Sequence, residues 1–338
     1  MGERIRLLQR RGRFLVFFRG ENLVIRSVAL WLAFLSQSCV APNASAAHRL
    51  VVQGNGKLAI VDREGNVEWE IPWRDIHDLH VLANGHIMVQ EGPAKVSEID
   101  PKTKKVVWSY DSANANGNAG KRVEVHAFQP LADGVVMIAE SGPARIIEVD
   151  RQGKLLKAIK LKVDKPNAHS DTRLVRKLAS GHYLVCHEND GAVREYDADG
   201  KVVWEFAVPM FDRPRAGGHG PEAWGNQCFA AVRLESGNTL ISTGNGHGVI
   251  EVTPEKEIVW RLEQKDLKGI TLAWVTTIEV LPNGNYVIGN CHAAPGQPLV
   301  VEIEPKSKKV VWQFDQFGRW GNSVPNTHVL DVEGKVRR

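Results

Sequence analysis

An all-β fold is predicted by three observations. First, KVSEIDPKTKKVVWSYD (residues 95 to 111) reads as an alternating strand, a polar turn and a second strand bearing Trp108. The same design recurs in AVREYDADGKVVWEFAV (192 to 208), GVIEVTPEKEIVWRLE (248 to 263) and LVVEIEPKSKKVVWQFD (299 to 315), at intervals of about fifty residues. Second, five hairpins precede copies of this unit, with apolar strands flanking turns that end in Gly85, Gly134, Gly181, Gly237 and Gly284. Asn-Gly and Asp-Gly between apolar runs signal type I′ turns, whose central residues need positive φ. Third, no helical periodicity interrupts the repeats. Each unit is therefore four strands, a to d, and the whole reads as a six-bladed β-propeller of four-stranded antiparallel blades.

Taken in order, the first unit holds KLAIVDREGNVEWEIPW (57 to 73) but lacks a strand a. The segment NTHVLDVEGK (326 to 335) is an orphan strand, so its pairing with the N-terminal partial blade is predicted to close the ring. The domain then spans 48–338, with a split first blade of 48–73 plus 326–335. The third unit, RIIEVDRQGKLLKAIKL, carries Lys157 where the others carry Trp69, Trp108, Trp204, Trp260 and Trp312. One structural position shared by five tryptophans implies packing between blades rather than chemistry.

Residues 1–47 carry seven arginines and two glutamates, an apolar run SVALWLAFL and a small-residue exit ending at Ala46. That is the layout of a signal peptide or N-terminal leader, and it predicts a periplasmic or secreted protein without stable membrane insertion after leader cleavage. Removing the leader takes the formal charge from +4 to near −1. No basic field remains, so no nucleic acid is expected as partner. Among the remaining cysteines, Cys186 with Cys228 and Cys228 with Cys291 are rival disulfide pairs.

Alignment on the turn glycines places candidate chemistry at one end of the channel. Eight residues before them stand His77, His126, Arg173, Phe229 and Thr276; six residues after stand Glu91, Glu140, His187, Thr243 and Asn290. Both sets are expected to converge. His77, His126 and His169 are the catalytic candidates, and Glu91, Glu140, His187 and Asn290 the metal candidates, for calcium or zinc. Arg173, Glu188, Asn245, His247, His292 and Trp274 are candidate ligand contacts. Long inserts at 112–122 and 209–226 join strand d to the next strand a, and the second, with Arg213, Arg215, His219, Glu222 and Trp224, is expected to act as a lid. His80, His86 and His182 are read as structural.

The c–d units resemble the repeats of pyrroloquinoline-quinone-type propellers over most of residues 48–335. That superfamily includes quinoprotein dehydrogenases, the propeller lipoprotein of outer-membrane assembly, and the six-bladed arylsulfotransferases. Six blades and no vicinal cysteine pair speak against pyrroloquinoline quinone as cofactor. The segment IHDLHVLANG is similar to arylsulfotransferases, which implies a channel histidine as nucleophile with Asn and Arg holding the sulfuryl oxygens. His169-Ser170-Asp171 and Glu188 stand where that family has His-x-Asn and Arg, and carboxylates there would repel a sulfate ester. The sequence thus predicts an exported propeller that binds a small polar or glycan-like ligand, or a protein partner. An arylsulfotransferase-like enzyme and a metal-dependent lactonase or lyase are the enzymatic alternatives.

Overall fold

A computed structural model describes residues 47–74 and 77–338. The described residues form six four-stranded antiparallel sheets. Blade 1 runs Thr327–Val329, Leu50–Gly54, Lys57–Val61 and Val67–Pro72 from the channel outward, and blade 2 runs Leu79–Val81, Ile87–Glu91, Lys95–Asp100 and Lys105–Asp111. Blade 3 comprises Glu124–Pro130, Val136–Ser141, Arg145–Val149 and Leu155–Lys160; blade 4 comprises Val175–Lys177, Tyr183–His187, Ala192–Tyr196 and Val202–Ala207. Blade 5 comprises Ala231–Arg233, Thr239–Ser242, Val249–Val252 and Ile258–Leu262, and blade 6 Trp274–Val280, Tyr286–Cys291, Val300–Glu304 and Lys309–Phe314.

The ring closes as the sequence predicts. Val52 pairs with Thr327, Val51 with His328 and Leu50 with Val329, so a strand from the end of the chain completes the blade begun at its start. Closure removes the two blade faces and strand edges that an open ring would expose. Leu50, Val52, Trp312, Trp320 and Val329 pack together across that closure.

The repeated sequence produces repeated contacts between blades. Trp69, Trp108, Trp204 and Trp260 each donate Nε1–H to a carbonyl in the c–d turn of the next blade: Pro101, Arg151, Pro254 and Pro305, at 2.8 to 2.9 Å. An indole that buries its body between sheets and hands its one donor to a fixed carbonyl satisfies both halves of its chemistry. In blade 3, where the tryptophan is missing, Lys157 Nζ lies 5.6 Å over the Tyr183 ring of blade 4 instead.

A second repeated element was not anticipated. In every blade the c–d pairing shifts register near the end of strand c, and in five blades a glutamate precedes the shift: Glu98, Glu148, Glu195, Glu251 and Glu302. Four of these reach into the following blade, to Arg151, Lys177, Arg233 and His48. The hairpin histidines His86 and His182 close on the same row, each 2.7 Å from its own blade's glutamate, and His80 Nε2 donates to the Phe128 carbonyl at 2.7 Å as a structural group.

Cys186, Cys228 and Cys291 are buried free thiols, so neither disulfide is formed. Burial pushes the Cys291 thiol up to about 11, which keeps it protonated and inert at neutral pH. The leader prediction falls outside the described residues apart from Ala47. Among the described residues no helix is long and apolar enough to cross a membrane.

Candidate functional site

One end of the channel opens into a cavity of about 1120 Å³. The starts of the inner strands supply His77, Arg173, Phe229 and Thr276, four of the five aligned positions eight residues before the turn glycines; His126, the fifth, is not among the lining residues. His169, Glu188, Asn245, Trp274 and His292 join them from flanking segments. The 209–226 insert covers part of the opening with Arg215, Ala216, Gly217, Gly218 and His219. His219 stacks on Trp274 with ring centroids 5.5 Å apart and stands 5.2 Å from His292. Among the described residues, three arginines, Arg74, Arg173 and Arg215, line the cavity against one carboxylate, Glu188.

Arg173 is 5% exposed and lies over the Phe229 ring at 5.7 Å. Its Nε donates to Glu188 Oε2, and Glu188 Oε1 accepts from Gln227 Nε2 at 3.1 Å. Gln227 Oε1 in turn accepts from Asn245 Nδ2 at 2.6 Å, which ties blades 4 and 5 together beneath the cavity. The approach needs glycine at 244: φ is +55°, and a Cβ there would fall 1.8 Å from the Gln227 carbonyl oxygen. Arg173 Nη1 and Thr276 Oγ1 are both buried without a hydrogen-bond partner. Buried polar atoms are almost always paired, so two unpaired ones beneath one cavity single it out as the candidate site.

The histidines gather on the blade 2–4 side. The His77 and His126 rings stand 4.5 Å apart, and His169 lies 5.5 Å from His126 and 6.4 Å from His77. A β-bulge falls on His126, the extra residue between Val125 and Ala127, and another falls on Thr276 and Thr277. Bulges of this kind re-aim a side chain locally. Burial lowers His126 to about 4, with Arg173 adding to the shift. His77 is pushed well below the ordinary histidine range by burial, then by His126 and Arg173. Gln90 Oε1 sits 3.0 Å from His77 Nδ1 and fixes that ring.

Other predicted positions are spent on structure. Glu91 is held by Ser97 and by Lys95 at 2.8 Å, and Glu140 by Asn118 at 3.0 Å and by Arg145. His187 Nδ1 donates to the Asp171 carbonyl at 2.8 Å while its Nε2 accepts from Tyr196 Oη at 2.8 Å. Asn290 bonds the Ala273 amide and the Thr271 and Pro298 carbonyls. These four are not brought together, because strand b lies one strand outward from the channel and each side chain is taken up by groups of its own blade and of the segment that leads into it. His247 stands outside the cavity, behind Trp224, with its ring nitrogens facing the Ala273 and Ala223 carbonyls. Its φ of +52° and that of +61° at His292 are uncommon for non-glycine residues. The 112–122 insert packs Asn116 and Asn118 onto Tyr110, Glu140 and Arg145 and contributes nothing to the cavity lining.

Sequence reasoning missed Glu124, which precedes His126 by two residues, accepts from Arg122, and faces a ring nitrogen of His126 at 3.2 Å and of His169 at 2.8 Å. Two-residue spacing on a strand predicts a shared face and was the available signal. Arg74 was missed as well, since it lies in the loop that leaves blade 1.

Comparison with known proteins defines the kinship of this architecture. A protein of unknown function from Bacteroides caccae is 24% identical, over 83% of this chain and 98% of its own, with a TM-score of 0.68. A streptogramin B lyase is 12% identical over 80% and 83%, with a TM-score of 0.52. The WD40 propeller domain of Doa1 is 12% identical over 71% of each chain, at 0.50. Likeness at this level shows the fold. Among curated proteins nothing matches the chain. A family model described as outer membrane protein assembly factor BamB matches residues 54–314, across all six blades, and the chain therefore belongs to that family of repeat propellers.

Proposed function

We propose that this protein is an exported propeller whose channel mouth binds a small polar ligand carrying an anionic group, an acidic saccharide being the class that suits the lining best. The observation that carries this reading is Arg173, buried, locked by Glu188 through Nε, and left with Nη1 unpartnered beneath the cavity. A guanidinium presented in this way recognises a carboxylate or sulfate through planar, charge-assisted bonds. Arg74 and Arg215 extend the positive field across the opening. Trp274, stacked with His219, offers the apolar face on which a sugar ring can lie. The leader layout supports export.

The test is calorimetric titration of the purified protein with a uronic-acid disaccharide, its neutral counterpart and inorganic sulfate. The acidic disaccharide should bind at least about tenfold more tightly than the neutral one, the worth of roughly one charge-assisted contact. Arg173→Lys should erase that preference because lysine keeps the charge but loses the fork. Equal binding of both disaccharides would reject the anionic subsite, and no binding of either at millimolar concentration would reject the mouth as a saccharide site.

A second reading is favoured by the three neighbouring histidines. In it a histidine nitrogen takes a sulfuryl group from an aryl sulfate, the phenolate leaves, and an acceptor hydroxyl later receives the group as it loses its proton. Arginine-rich surroundings supply the positive donors such an anion needs. Release of phenol from an aryl sulfate that depends on an added phenolic acceptor, and that disappears in His126→Ala combined with His169→Ala, would establish it. Unchanged turnover in that double variant would remove the histidine mechanism.

A further inference from the structure

We infer that Glu124, His126 and His169 form a site for one divalent transition-metal ion of the zinc class, on the wall of the same channel mouth. One carboxylate oxygen and one nitrogen of each ring lie within 4.8 Å of one another. His126 Nε2 is 3.2 Å and His169 Nδ1 2.8 Å from Glu124 Oε2. Ligands of a tetrahedral ion with bonds of about 2.0–2.1 Å stand roughly 3.3 Å apart, so both ring nitrogens already stand near that spacing from the carboxylate oxygen.

The hydrogen bonding of His126 supplies an independent observation. Its Nδ1 faces the Thr172 carbonyl at 2.9 Å, and a carbonyl can only accept, so the ring proton sits on Nδ1. A neutral imidazole then turns a bare Nε2 lone pair toward the Glu124 carboxylate, acceptor against acceptor. A cation between them removes that conflict. The Nδ1–H to carbonyl bond is also the arrangement that orients metal-ligating histidines generally.

Each ligand is held in place before any ion arrives. Glu124 and His126 share the first turn of strand a of blade 3, where the bulge aims His126. His169 sits in a loop braced by Asn167, whose Oδ1 accepts the His169 amide at 2.9 Å, and by Asp171, which accepts the Gly142 amide at 2.9 Å. His169 is largely exposed and lines the cavity, so the remaining coordination positions open toward the ligand space. Two imidazoles and one carboxylate select zinc or ferrous iron over calcium, which prefers an all-oxygen shell. These residues are distinct from Glu91, Glu140, His187 and Asn290, whose polar atoms are already engaged.

The test is metal uptake by chelator-treated full-length protein, titrated with Zn(II), and with Co(II) as a spectroscopic reporter of coordination. One equivalent should bind, cobalt should give the intense visible bands of a four- or five-coordinate site, and excess Ca(II) should not displace either ion. His169→Ala, a change at an exposed side chain that spares the fold, and Glu124→Gln should each weaken zinc binding at least tenfold. Glu91→Gln should leave it unchanged. Failure of the folded protein to take up zinc, cobalt or anaerobic Fe(II) overturns the site, as does uptake that survives both His169→Ala and Glu124→Gln. Nitrogen-15 shifts showing His126 doubly protonated at neutral pH, with no uptake, would replace the metal with an imidazolium–carboxylate pair. Because no saccharide enters this measurement, its failure leaves the reading of the arginine-lined mouth standing.

Discussion

The channel mouth and the deep channel are made from the same inner strands and the same residue types, only a few positions apart, yet they treat polar groups in opposite ways. In the deep channel Asp78 is fully buried and accepts Arg176 Nη1 at 2.7 Å, Arg176 Nη2 at 2.9 Å and Asn326 Nδ2 at 3.1 Å. The amides of Leu79 and Phe128 add bonds at 3.0 and 3.2 Å. Arg338 Nη2 reaches Asn326 Oδ1 at 3.0 Å and the Thr327 carbonyl at 2.8 Å, although its Nε has no partner. Glu279 accepts from Thr327 Oγ1 and the Val329 amide at 3.3 and 3.1 Å. This network joins blades 1, 2, 3, 4 and 6 where the ring closes. At the mouth Arg173 Nη1 and Thr276 Oγ1 are equally buried but unpaired. The contrast teaches that burial of charge alone does not mark a site; what marks it is bonding capacity left unused beside an open cavity.

The largest expected effect tests the deep half. Asp78→Ala leaves the Arg176 guanidinium without its bidentate carboxylate in the channel and should cost about 3–5 kcal/mol, read as a lower urea midpoint at unchanged slope. A loss under about 1 kcal/mol would put this pair on a level with exposed ion pairs and erase the distinction between the two regions. A second effect concerns acid. Burial pushes the Asp78 carboxyl up, but Arg176 and His80 outweigh it and hold the group well below the ordinary aspartate range. A carboxyl depressed on folding contributes stability in full above its unfolded value of about 3.9, and loses it as pH falls from there through the lowered folded value. The urea midpoint should therefore drop steeply below about pH 4 in the parent protein, and much less steeply in Asp78→Asn. Parallel profiles would place the acid-sensitive group elsewhere.

The same contrast explains what was legible in the sequence. Strands, turns, blade number and ring closure follow from local signals: alternation, the turn glycines, and an orphan strand at 326–335. Four of the five positions eight residues before a turn glycine line the cavity because they occupy the same height on the innermost strand. Those six residues after it do not, since one strand further out the geometry directs side chains along the blade rather than across the channel. Pairings such as Asp78 with Arg176 join residues of different blades, and no local pattern announces which partner across a ring a charge will meet. Glu124 lies between these cases: its spacing from His126 was readable, but its meeting with His169 depends on a loop whose path only the fold defines.

The smallest effect separates the two regions most sharply, because it compares one substitution at two equally buried threonines. Thr276 and Thr327 are each 1% exposed and both lie on the inner strands, but Thr327 Oγ1 donates to Glu279 at 3.3 Å whereas Thr276 Oγ1 has no partner. Valine replaces the hydroxyl by a methyl of nearly the same volume, so packing changes little and hydrogen bonding changes most. Leaving a buried hydroxyl unsatisfied costs about 1–3 kcal/mol, and removing it recovers part of that cost. Thr276→Val should accordingly stabilise the protein, by about 1 kcal/mol, and weaken binding of an anionic ligand. Thr327→Val should destabilise it by a similar amount and leave binding unchanged, since Glu279 loses a donor remote from the mouth. Opposite signs in urea denaturation would show that the mouth holds bonding capacity in reserve for a ligand, while equal losses at both positions would mean that Thr276 is satisfied in solution and that the two ends of the channel differ in shape rather than in purpose.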